Sequence, residues 1–296
     1  MVHPRITQVS ILLLLAIPGQ AQKLKYSLTW DHAINVVPAT VSYLDTMREG
    51  FSFQVFETNA REVSHMWRDQ VSKKAAVFVN ADPMVANGTR FEQLSADPLT
   101  VIASVKDDKG SKSTKFNIAF IPSTGTTPPS AAMQEMFVRE LAVDLNRKVV
   151  QRQIDEQEKL LGRADDKAAK SKGKQDKLNS SINKKKGELD KSRASRTKAE
   201  ARNARIKSEI VGYEQKFTLS NEPKDLKKLT KARTELAKGE EKVAGMMEKE
   251  VKLQNELNKL ADDLPDAAER KEADSQRMSE QQRLVDSLRN KLQNIH

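Results

Sequence analysis

From Val150 to the end of the chain, apolar residues return alternately after three and four positions. One series runs through Ile154, Leu161, Ala168, Ile182, Leu189, Ile210 and Phe217, and its companion through Val150, Ala164, Leu178, Ala199, Ile206 and Tyr213. A second pair of series starts at Leu229 and Ala232 and continues through Leu236, Val243, Met246, Leu253, Leu257, Leu260, Leu264 and Leu288. This spacing places one stripe on a slightly underwound helix, the pattern of a coiled coil. The two phases interlock if the chain doubles back. Ile206 then faces Leu236, Asn203 faces Gly239, Ala199 faces Val243, Leu189 faces Leu253 and Ile182 faces Leu260.

The pattern therefore predicts an antiparallel helical hairpin with limbs 130–217 and 225–296 and a turn over 218–224, each limb on the order of 100 Å long. Ser220 and Asn221 are cap candidates, and Pro223 is tolerable only in a first helical turn. The rival arrangement is a parallel dimer of unfolded-out helices. Pro265 predicts a kink or short break, with the register resuming beyond it. Arg196 is placed to reach Glu250.

Residues 23–121 have another texture, with both tryptophans and seven of the nine phenylalanines. Phe51 to Phe56 alternates strictly and predicts a strand. Asn59 with Glu62 resembles a capping box for a short helix through about Ser72, with Val63, Met66, Trp67 and Val71 on one face. Ala75 to Val79, Arg90 to Leu94, Leu99 to Val105 and Lys115 to Ile121 read as further strands. Asn80 to Pro83, Asn87-Gly88 and Asp107 to Gly110 supply turns. Leu24 to Trp30 reads as an edge strand, and Ile34 to Val41 has no clean period. Pro122 to Pro129 is a linker, after which Ser130 caps a helix whose wide stripe (Met133, Met136, Phe137, Leu141, Leu145, Val149) suits packing on the sheet.

The expected fold class is α+β: a small antiparallel sheet with a helix on one face, followed by a long antiparallel coiled-coil hairpin. The expected domains are 1–21, 22–121, 122–129 as linker, 130–217, 218–224 as turn and 225–296. Residues 1–21 read as a secretory signal peptide, with Arg5, the apolar run Ile11 to Ile17 and a small-residue site at Gly19 to Ala21. An N-terminal anchor is the alternative, but the run falls far short of the ~20 residues that span a bilayer. The chain has no cysteine. An exported chain of this kind points to the periplasm or the cell exterior, with no transmembrane segment in the mature protein.

The net charge of +10 is unevenly spread. Basic and acidic residues balance over 1–146 and again over 218–296, so the whole excess lies in 147–217. Export disfavours nucleic acid as a partner despite this charge. An envelope protein or an anionic envelope lipid or polysaccharide fits better, and homo-oligomers stay open. A solvated face that keeps a long arm soluble is the plainer explanation of the same charge. The candidate interaction residues are Lys184, Lys185, Lys186, Arg193 and Arg196 on the basic limb, and Tyr213, Phe217 and Leu219 at the turn.

The histidines (His3, His32, His65, His296) form no metal-ligand spacing, and no nucleophile–base pattern or glycine-rich phosphate loop occurs. The sequence thus predicts no enzyme, no cofactor and no metal. The stretch Phe51 to Phe56, followed by Glu62-Val63, Trp67 and a helical tail, resembles a group of uncharacterised exported bacterial proteins over residues 50–150. That group carries no assigned activity, so the resemblance transfers no functional residue. In architecture alone, the arm is similar to basic periplasmic holdase chaperones that mount helical hairpins on a small β body. This implies, as a second possibility, capture of unfolded clients.

Overall fold

The computed structural model describes residues 26–108, 110–123 and 125–296. The segment expected to be a signal peptide lies outside them. The protein is α+β: a six-stranded antiparallel sheet and three helices, two of them long and packed against each other. The chain divides into two compact units, one comprising residues up to Ile154 together with Asp286–His296, the other Asp155–Val285.

In unit 1 the order is β1 (Val37–Tyr43), β2 (Thr46–Phe56), α1 (Ala60–Val71), β3 (Val77–Val79), β4 (Met84–Thr89), β5 (Leu99–Asp108), β6 (Ser113–Pro122) and the start of α2 (Ala131–Ser220). The strands lie in the order β1-β2-β6-β5-β4-β3. Inward positions of β2, β5 and β6 (Phe53, Val55, Val101, Phe116, Ile118) share one core with Val63, Trp67 and Val71 of α1. Phe137, Val138, Leu141, Leu145 and Val149 of α2 fill the same core, whereas Met133 and Met136 are exposed. Gly50 is obligatory there: a Cβ would stand 2.1 Å from the Ile118 carbonyl oxygen of the neighbouring strand.

Several local expectations are corrected. β1 forms over Val37–Tyr43, and the described part of 24–30 is not a strand. β1 hides its period because it is an edge strand in which Val41 alone is fully buried. Arg90 to Leu94 is a turn, held by Phe91 O accepting from the Leu94 and Ser95 amides. Its apolar residues Phe91 and Leu94 are core anchors three apart, not alternate strand positions. Asn87-Gly88 is no hairpin turn but an irregularity within β4, where pairing to β5 shifts between Ala86 and Thr89. Gly88 takes φ +65°, as bulges favour glycine. The reversal is made earlier, at 80–83.

At the head of α1, Asn59 Oδ1 accepts from the Glu62 amide at 3.0 Å. Glu62 does not close a capping box; its carboxylate accepts from the Thr58 hydroxyl at 2.9 Å and from Arg152 of α2. Asn146 of α2 completes β2 beyond the end of β1, since Val37 pairs with Ser52 and no residue of β1 lies opposite 53–56. Asn146 Oδ1 accepts from the Phe56 amide at 3.0 Å, and its Nδ2 donates to Gln54 O at 3.1 Å. Backbone groups that would otherwise be buried unpaired are thereby satisfied.

The last residues of α3 (Pro223–Gln293) belong to this same unit. Leu288 and Ile295 are fully buried against Val150 and Ile154, with Tyr26, Leu28 and Trp30 at the margin. Arg147 donates two hydrogen bonds, of 3.2 and 2.9 Å, to Ile295 O, satisfying a carbonyl just beyond the end of α3.

In unit 2, α2 ends at Ser220 and α3 begins at Pro223, so the turn is Asn221 and Glu222, tighter than 218–224. Asn221 adopts φ +54° and its amide donates to Phe217 O at 2.8 Å, a left-handed helix stop. Ser220 Oγ accepts from the Glu222 amide and donates to Asp225. Pro265 lies inside α3, which continues past it, so of the expected kink or short break the break does not occur.

Candidate interaction surface

The long helices of unit 2 meet through two apolar clusters. Ile182 and Leu189 of α2 pack with Leu253, Leu257, Leu260 and Leu264 of α3. Nearer the turn, Ile206, Ile210 and Tyr213 pack with Leu229, Ala232 and Leu236. Between them Asn203 lies against Gly239 so closely that a Cβ there would stand 2.0 Å from its Oδ1. Polar residues flank the apolar ones: Ser171 Oγ donates to Asp274 at 2.5 Å, and Gln281 Nε2 to the Gln157 side chain at 2.6 Å.

The predicted basic residues divide between two environments. Lys185 Nζ is 2.7 Å from Glu256 on α3 and 3.4 Å from Glu188. Glu256 raises the Lys185 ammonium above its ordinary value, and Lys185 in turn lowers the Glu256 carboxyl. Arg196 donates through Nη1 to Glu200 at 2.8 Å and through Nε to Glu250 at 3.1 Å. The two carboxylates, Glu200 first, raise its guanidinium further. Both are committed to holding the helices together. Lys184, Lys186 and Arg193 are exposed, and Arg193 donates a long hydrogen bond of 3.5 Å to Gln254. Arg202–Glu235, Lys207–Glu240 and Arg233–Glu214 add further bridges between α2 and α3.

At the turn the three predicted residues are not equivalent. Tyr213 belongs to the apolar cluster, Phe217 is half-buried, and Leu219 is 88% exposed. Pro223, Leu226, Lys227 and Lys231 line a shallow open groove on α3 beside them. The basic residues and the turn residues do not converge on one site.

Unit 1 holds two polar constellations that the sequence patterns do not reveal. The first is a buried group around Lys291, whose Nζ donates to Glu57, to Ser27 O at 2.8 Å and toward Gln153 at 3.5 Å. The second is a small cavity of about 180 Å³ lined by Arg61, Ser64, His65, Arg68 and Asn80. Helical spacing along α1 was the available signal for that cavity, since Arg61, His65 and Arg68 recur at four and three residues. Among the described residues no group of three His, Asp or Glu is placed to hold a metal ion. No helix among them is long and apolar enough to cross a membrane. No protein-family model matches the chain, and comparison with curated proteins returns no significant match.

Proposed function

We propose that this chain is a non-enzymatic scaffold or interaction protein of the cell envelope, in which unit 1 docks and the paired helices form an antiparallel coiled-coil hairpin that serves as spacer. The observation that carries this reading is the shared apolar clusters of α2 and α3, flanked by inter-helix ion pairs and closed by a two-residue turn. The clustered residues are those of the three-and-four series, as heptad packing requires. Export rests on the pattern of residues 1–21 and agrees with a chain lacking cysteine.

The test is chemical crosslinking in envelope preparations, comparing the full chain with a variant in which a short linker replaces 155–285. Retaining 286–296 is essential, because Lys291 and Ile295 complete the buried part of unit 1. The scaffold reading expects export, and capture of a docking partner that the shortened chain retains. Retention of the full chain in the cytoplasm, or a partner bound only by the excised segment, contradicts it.

A further inference from the structure

One face of α1 gathers cations that the chain does little to neutralise. Val63, Trp67 and Val71 turn into the core, while Arg61, Ser64, His65 and Arg68 recur beside them at helical spacing. With Asn80, just beyond β3, these four line a cavity of about 180 Å³. All five residues belong to unit 1, so the site does not depend on the hairpin. The nearby carboxylates are engaged elsewhere: Glu57, four residues before Arg61, holds Lys291, and Glu62 accepts from Thr58 and Arg152. The Arg68 guanidinium makes long contacts of 3.3 and 3.4 Å to its neighbour Asp69, whose side chain is 72% exposed. Among the described residues, the side chains of Arg61, His65 and Asn80 make no hydrogen bond or ion pair.

Two guanidiniums lining one small cavity repel each other, and a doubly charged anion between them relieves that cost. Size narrows the class of anion. At ~30 Å³ per water the space holds roughly six waters, below the ~300 Å³ at which pockets for larger organic ligands begin. It encloses a single oxyanion, not a nucleotide or a polymer. A carboxylate brings one charge and two oxygens, fewer than two guanidinium forks, an imidazole and an amide can satisfy. The cavity also contains an acceptor. Ser64 Oγ gives its own proton to Ala60 O at 2.7 Å, so toward a ligand it offers lone pairs. Hydrogen phosphate carries a P–OH proton for that oxygen as well as two charges for the arginines. Sulfate and the dianion of a phosphate ester carry the charges without the proton.

We infer that the cavity between α1 and Asn80 is a binding site for inorganic hydrogen phosphate. Arg61 and Arg68 hold its charge, His65 and Asn80 supply further donors, and Ser64 accepts its proton and so tells it from sulfate. The site goes beyond the scaffold reading and stands whether or not unit 2 serves as a spacer.

The test is isothermal titration calorimetry of the full chain with inorganic phosphate at neutral pH, with sulfate, glycerol 3-phosphate and acetate as comparison anions. Phosphate should bind, and each of the other three at least about tenfold more weakly, the worth of one hydrogen bond to a charged group. R61Q should weaken phosphate binding about tenfold and R61Q/R68Q roughly a hundredfold on the same scale. R48Q/R90Q, which removes the same charge from exposed positions of unit 1 outside the cavity, should change it less than about twofold. Ser64→Ala should abolish the preference for phosphate over sulfate while leaving sulfate binding unchanged. Thermal unfolding checks the fold of each variant and gives a second reading: phosphate should raise the melting temperature of the parent but not that of R61Q/R68Q. No heat of binding and no phosphate-dependent melting shift in the parent would overturn the site. Equal losses in the two double variants would overturn it in favour of overall charge. Sulfate, glycerol 3-phosphate or acetate binding as tightly as phosphate would overturn the assignment to hydrogen phosphate.

Discussion

Lys291 buries its ammonium against Glu57, 234 residues away in the chain. The lysine side chain is wholly closed to solvent, and that of the glutamate is only 10% exposed. Glu57 follows directly after β2 with φ +57°, a left-handed turn that a glutamate rarely takes. The ammonium also meets Ser27 O and stands 5.7 Å from the Tyr26 ring. The last helical turns of α3 are thus tied to the end of β2 by a charge pair inside unit 1.

Removing one partner leaves the other charge buried and unpaired, which costs about 3–5 kcal/mol. Lys291→Met keeps the apolar stem and should lose about that much in chemical denaturation. The double variant E57Q/K291M should recover most of it, because neither charge then remains. Additive losses would show that the two residues are not coupled.

Gly239 gives a second double-mutant test. Alanine is favoured over glycine in a helix by roughly 1 kcal/mol, but its Cβ would meet Asn203 Oδ1. G239A should therefore be no more stable than the parent. N203A/G239A, which empties the opposing side chain, should recover the propensity gain in thermal denaturation. A fully stabilising G239A would mean that Asn203 swings away at no cost.

Glu62 sets a pH dependence. Burial alone would push its carboxyl up, but hydrogen bonds from Thr58 and Arg152 and the guanidinium charge outweigh burial and hold it below its ordinary 4.5. A carboxyl lowered on folding contributes stability above its unfolded value and loses it as pH falls through the folded value. Stability of unit 1 should accordingly decline from near pH 4.5 downward, and Glu62→Gln should flatten that decline. An unchanged acid limb in E62Q would assign the decline to other carboxylates. Because Glu62 is partly exposed, added salt should also shrink the effect.

What the sequence made legible follows from how far apart the deciding residues lie. The α+β class and the helix positions were readable because periodicity is local: Ile182, Leu189, Leu253 and Leu257 announce themselves within a few turns of chain. Unit 1 was readable only where a strand alternates over several residues, as in Phe51 to Phe56. Phe91 and Leu94 imitated a strand, because two core anchors in a turn look alike over so short a window. Asn87-Gly88 carries the composition of a hairpin turn, yet the chain spends its left-handed glycine on a bulge. The Glu57–Lys291 pair left no trace, since a lysine beside Leu292 near a helix end reads as solvated. The basic residues were grouped as sequence neighbours: Lys184, Lys185 and Lys186 are adjacent in sequence, but a helix sends them to different faces. Lys185 bridges to Glu256, whereas Lys184 and Lys186 are exposed.

The account depends above all on the chain reversing at Asn221 and Glu222 so that α3 packs on α2 of the same molecule. Leu189 and Leu253 share one apolar cluster, and no native cysteine interferes. Mild oxidation of dilute L189C/L253C should yield a monomeric, internally linked chain that migrates faster than its reduced form. Disulfide-linked dimers alone, with no internally linked monomer, would contradict it.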